Sequence, residues 1–117
     1  MEKFLITLPL TGEYLTTVRL TTGGLCALVG FNVDETEDFK VCVTESLLIL
    51  KRNGFATANI TFTVGEALRS EIVGVGERGE KADGFEDGIS SALLAALVGN
   101  VEFVKEQDIV TGIIFEG

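Results

Sequence analysis

Histidine and tryptophan are absent from this 117-residue chain, and proline and methionine occur once each. Without histidine, and with only two separated cysteines, zinc and haem lose their usual ligands. Ser/His and Cys/His nucleophilic chemistry loses its base. Any catalysis would rest on carboxylates. Basic residues are also scarce, nine against eighteen acidic ones, for a formal charge of −9. Phosphate contacts need clustered Lys and Arg, so the composition argues against nucleic-acid binding and equally against docking on anionic lipid. The opening Met1-Glu2-Lys3 has neither the basic start nor the apolar run of a signal peptide, and no run reaches the ~18 apolar residues of a membrane span. The expectation is a cytoplasmic protein with no membrane association.

What the chain does have is apolar bulk, 46% of residues, enough for one domain over 1–117 with a core of its own. Cys26 and Cys42 fall in apolar stretches and read as buried free thiols rather than a disulfide. Phe4-Leu5-Ile6-Thr7-Leu8 reads as a strand closed by Pro9. A helical stretch follows over 13–30, with Gly23-Gly24 expected to kink or break it. A second helix opens at Asp34, where Glu37 stands three residues on in capping-box spacing, and Lys51, Arg52 and Gly54 mark its end. Phe39, Cys42, Val43, Ser46, Leu47 and Leu50 share one broad arc, the face expected to cover a sheet. Glu45, Ile49 and Asn53 lie along one edge of that arc.

Residues 58–64 alternate with period two, 71–75 less cleanly, and 76–87 form a polar loop with seven charges. A short apolar helix is expected over 88–98, with Ile89, Ala92, Leu93, Ala96 and Leu97 lining one side. Strands over 101–105 and 109–115 close the chain. The order βααββαββ predicts an α+β two-layer sandwich: a mixed, mostly antiparallel sheet covered on one face by about three helices.

Three features could carry chemistry. Gly74-Val75-Gly76-Glu77-Arg78-Gly79 spells GxGxxG, but a dinucleotide fingerprint needs a helix directly after it, and 80–87 show no helical pattern. Glu45, with Thr44 beside it, could serve as a general base toward a hydroxyl or water, although most helix glutamates are simply solvated. The acidic loop 77–87 could be a nucleotide lid, a partner-binding surface or merely solvated.

Several segments together resemble the anti-sigma-factor serine kinases, small bacterial members of the histidine-kinase-like (GHKL, Bergerat-fold) ATPases. They are Tyr14-Leu15-Thr16-Thr17-Val18-Arg19, Gly30-Phe31 with the acidic opening 34–38, and Phe39-Lys40-Val41-Cys42-Val43-Thr44-Glu45-Ser46, which is similar to the family's N-box helix. The stretch 88–102 is similar to its glycine-led last helix and final hairpin. The resemblance implies an ATP and magnesium site: an N-box Glu as base, an Asn four residues on holding Mg²⁺, an Asp in a DxGxG box for adenine, and a later glycine stretch for phosphates. It also implies partners, a sigma factor and an anti-anti-sigma protein, and a possible homodimer.

Carried over residue by residue, Glu45 matches the N-box glutamate, while Ile49 stands at the asparagine's place and offers a hard cation no oxygen. Asn53 replaces the family's histidine. Glu77-Arg78-Gly79 is what resembles DxGxG, with Lys81 for the second glycine, or else Gly76 takes the aspartate's place. Gly88 retains one glycine of the later pair. A nucleotide site made of Asn53, Glu77, Gly79 and Gly88 thus reads as eroded, with no metal ligand set, no cofactor expected, and Glu45 catalytic only in an active kinase. The expected function is regulation by sequestering a protein partner. An active serine/threonine kinase acting on an anti-anti-sigma factor and a self-assembling structural subunit are the alternatives.

Overall fold

The computed structural model describes residues 1–82 and 84–117. Strand β1 (Glu2–Pro9) leads into α1 (Gly12–Leu28) and α2 (Val33–Arg52). The hairpin β2 (Thr57–Val64) and β3 (Leu68–Val75) follows, then α3 (Phe85–Val98) and a second hairpin, β4 (Val101–Glu106) and β5 (Ile109–Glu116). The sheet runs β1-β2-β3-β5-β4 and every pairing is antiparallel. The expected two-layer α+β sandwich is what forms, but among the described residues the sheet is wholly antiparallel rather than mixed, because each neighbouring strand pair is a hairpin or an antiparallel crossover.

Period-two alternation sets the layers. In register, Ile6, Ile60, Ile72 and Ile113 form one cross-strand row, and Phe4, Phe62, Ser70 and Phe115 the next. Ile60, Phe62, Ile72 and Ile113 are wholly buried beneath the helices. The opposite face carries Thr61, Thr63, Arg69 and Glu71 and stays open to solvent. Helix α2 lies at the centre of the helical layer, against α1 on one side and α3 on the other, and the arc expected to face the sheet is the buried one. Phe39 of α2 links Phe31 and Phe115, with ring centroids 5.8 and 5.1 Å away.

Three local expectations need correction. Helix α1 runs unbroken through Gly23-Gly24, and the Lys40 side chain of α2 lies over Gly23, its Cε 2.8 Å from where a Cβ would sit. Helix α2 is capped two residues earlier than Asp34: the Asn32 side chain accepts from Glu35 N at 2.8 Å, and Glu35 Oε1 accepts from Asn32 N at 2.9 Å. Helix α3 starts at Phe85 rather than Gly88, and its buried residues are Ser90 and Leu94, so Ile89, Ala92 and Ala96 face solvent. The apolar arc is not the buried side of α3, whose inward face presents Ser90 to Glu45 and Arg52 of α2.

Candidate functional site

The edge of α2 bearing Glu45, Ile49 and Asn53 faces the first turns of α3, and a hydrogen-bonded chain joins them. The Ser90 hydroxyl donates to Glu45 Oε2 at 2.8 Å and accepts from Arg52 Nη2 at 2.7 Å. Arg52 Nε donates to Asp87 Oδ1 at 2.7 Å, with Glu86 a looser partner at 3.7 Å. Asn53 Nδ2 donates to Asp87 Oδ2 and to the Ile49 carbonyl, both at 2.8 Å, and Asn53 Oδ1 accepts from Val110 N at 3.1 Å. Both amide groups of this buried asparagine are therefore engaged, and its side chain ties α2 to α3 and to β5 at once.

Ile49, between Glu45 and Asn53, is packed into the core at 1% exposure. Thr44 is not drawn into this chain: it points to the other side of α2, donating to the Lys40 carbonyl and accepting from Arg19 of α1.

The glycine-bearing loop after β3 closes on the C-terminus of α2. A helix end presents carbonyls with no intrahelical partner and the negative pole of the dipole. Gly79 N donates to the Gly54 carbonyl and Ala82 N to the Arg52 carbonyl, each at 2.7 Å. Arg78 Nη1 donates to the carbonyls of Asn53 and Gly79. Gly54 makes this approach feasible: its φ is +99°, and a Cβ would stand 2.4 Å from the Gly79 carbonyl oxygen.

The loop's N–H groups at 79 and 82 are thus spent on carbonyls in the last turn of α2 and two residues beyond it. Gly88 N is likewise bonded to the Gly84 carbonyl, 3.2 Å away, inside the first turn of α3. Glu77 is exposed and enters no ion pair among the described residues.

Of the sequence-derived candidates, Glu45 and Asn53 therefore belong to one polar chain, Gly79 is pinned at its end, and Glu77 and Gly88 stand apart from it. Sequence reasoning missed Asp87, Ser90 and Arg52. The signal was available: Asp87 and Ser90 sit at i and i+3 of α3, a spacing that puts them on one face. Two surface hollows lie away from the polar chain, one of about 390 Å³ between Arg69, Val98, Val101 and Glu116 and one of about 350 Å³ between Phe55, Arg78, Glu106 and Thr111, while one of about 320 Å³ opens beside it between Arg52, Ala82, Phe85 and Glu86. Among the described residues, no group of three or more Cys, Asp or Glu side chains is placed to hold a metal ion, and no helix is long and apolar enough to cross a membrane.

No protein-family model matches the chain, and no curated protein matches it in sequence. Among solved structures it is similar to the crystal structure of the RsbU and RsbW domains of Rv1364c from Mycobacterium tuberculosis, with a TM-score of 0.74 and 17% identity. The match covers 99% of this chain and 32% of that one. The chain thus spans about a third of the protein it resembles, and what the two share at this identity is the fold.

Proposed function

We propose that this protein is an anti-sigma-factor-like regulator that works by binding a protein partner, a sigma factor or an anti-anti-sigma factor, without ATP-dependent phosphoryl transfer. The fold shared with the chain carrying the RsbU and RsbW domains supports the first half of this reading, together with the sequence resemblance to anti-sigma kinases. The second half rests on one observation: the edge of α2 that would face a nucleotide is bonded to the protein's own α3 and loop.

Mg·ATP fits these residues poorly. A magnesium ion demands several oxygen ligands, and next to Glu45 the chain offers the aliphatic Ile49. Asn53 has both side-chain N–H groups committed, and its side-chain oxygen accepts from Val110 N inside the core. Phosphates need backbone donors and cations, whereas Gly79 N and Ala82 N are spent on carbonyls and the surrounding loop is net acidic.

Isothermal titration with Mg·ATP up to millimolar concentration should give no binding heat, and purified sigma and anti-anti-sigma proteins of the host should be retained by the immobilised protein. Micromolar ATP binding would favour the kinase reading, with Glu45 as base. Failure to retain either protein, alongside a tight oligomer in sedimentation, would favour the structural one.

A further inference from the structure

The sheet has two edge strands, β1 and β4, and they are built differently. A free edge is a row of unpaired N–H and C=O groups that another strand can join, and soluble proteins blunt it with short strands, bulges and charge. β4 is blunted in all three ways: it has six residues, its register shifts between Val104 and Lys105, and Glu102, Lys105 and Glu106 are exposed along it. β1 is eight residues long and pairs with β2 without a register shift, and its middle, Phe4-Leu5-Ile6-Thr7-Leu8, carries no charge. Phe4 is 44% and Leu5 70% exposed there.

The hydrogen bonding of β1 fixes which groups face outward. Leu10 N donates to the Ala56 carbonyl just past the strand, in the register that pairs Leu8 with Ala58 and Ile6 with Ile60. Successive residues of an antiparallel strand bond to opposite sides. Residues 2, 4, 6 and 8 therefore bond to β2, and the N–H and C=O groups of Lys3, Leu5 and Thr7 point away from the sheet. Pro9, next in the outward series, has no N–H to leave bare.

This outward row is self-complementary, and that selects a second copy as the occupant. With Leu5 opposite Leu5 of the second copy, Lys3 falls opposite Thr7 and Thr7 opposite Lys3, so three pairs each exchange two bonds, six in all. The same register puts Phe4 against Ile6 on the helix-bearing face, keeps Pro9 outside, and sets no like charges opposite each other. Charge favours the same encounter. Residues 1–33 hold Glu2 and Glu13 against Lys3 and Arg19 and sum to zero, so the whole net charge of −9 lies on 34–117 and β1 belongs to the neutral part. We propose that β1 is a homodimer edge: two copies join antiparallel through residues 3–7 about a two-fold axis at Leu5, making one ten-stranded sheet with all six helices on one face. The dimer goes beyond the partner-binding reading and stands independently of it.

Sedimentation across about a hundredfold range of concentration should show a monomer–dimer equilibrium. At its dimeric end the amides of Lys3, Leu5 and Thr7 should exchange with solvent at least tenfold more slowly than at its monomeric end. Because residue 5 faces itself, Leu5→Lys and Leu5→Glu should each weaken the dimer at least tenfold with an unchanged circular dichroism spectrum, and an equimolar mixture of the two variants should restore it. Val104→Lys, on the opposite edge, should leave the dimer as it is. A wild type monomeric throughout, exchange at those three amides that ignores concentration, a dimer indifferent to both Leu5 variants, or variants whose mixture stays monomeric would overturn the proposal. So would a monomeric wild type whose retention of a sigma or anti-anti-sigma protein is abolished by Leu5→Lys, which would make a partner's strand the occupant. A dimer behaving as stated that retains neither protein would reject the partner-binding reading and leave the β1 edge standing.

Discussion

Asp87 is the hinge of the polar chain between α2 and α3, with one oxygen on Arg52 and the other on Asn53. Its side chain is only 15% exposed and that of Arg52 only 16%, so each charge depends on the other for solvation. Removing one member of such a pair strands the other, at a cost of about 3 kcal/mol. Asp87→Ala should therefore lower the free energy of urea unfolding by about that amount, whereas Glu77→Ala, at an exposed site, should change it by less than about 0.5 kcal/mol. The two thiols make a second residue-scale case. Burial pushes Cys26 up to about 11, and it pushes Cys42 up to about 12, with Asp38 and Glu45 adding to the rise. A thiol whose value is raised by folding costs nothing below the unfolded value of 9.0, where both states are protonated. Above it the unfolded state ionises first, so stability is lost as the pH climbs from about 9 toward 11 and 12. The melting temperature should fall over that range, and Cys26→Ala/Cys42→Ala should flatten the decline. Unchanged slopes would remove the thiols from the explanation.

At the scale of elements, helix ends decide more than helix interiors. The Asn32/Glu35 box satisfies orphan donors at the start of α2, so Asn32→Ala should cost about 1 kcal/mol in thermal unfolding. Asp34→Ala should cost a few tenths, since Asp34 contributes through the dipole alone. A reversal of that order would show that the box adds nothing. The Asp34/Glu37 spacing matched the pattern as well as Asn32/Glu35 did, because an acid-rich stretch offers several frames, and only packing selects one. The two helices flanking α2 illustrate the same limit. Glycine propensity argued for a break at Gly23-Gly24, at a local cost of about 1 kcal/mol per glycine, yet the helix continues through both and packs along α2. In α3 the apolar arc was legible, but the helix buries Ser90 and Leu94 and turns that arc outward.

For the molecule as a whole, a net charge of −9 meets few compensating contacts: the described ion pairs are Lys40–Glu37, Arg52 with Glu86 and Asp87, and Arg69 with Glu71 and Glu116. Self-repulsion should therefore outweigh attraction at low ionic strength. Raising sodium chloride from 20 to 200 mM shortens the screening length to below about 10 Å and should raise the melting temperature by a few degrees. A fall would mean that the local pairs dominate.

The order of elements, the antiparallel hairpins, the covering face of α2 and the two buried thiols were determined by the sequence, because period-two and 3.6-residue patterns are local and each residue's side follows from its neighbours. The sequence also determined that Ile49 would supply no oxygen to a metal. Only the tertiary structure decided that Glu45 would meet Ser90, that Asp87 would bridge Arg52 and Asn53, and that the glycine loop's N–H groups would cap α2. Those contacts join residues 25 to 45 positions apart, and no local pattern encodes which of several polar groups will meet once the helices pack.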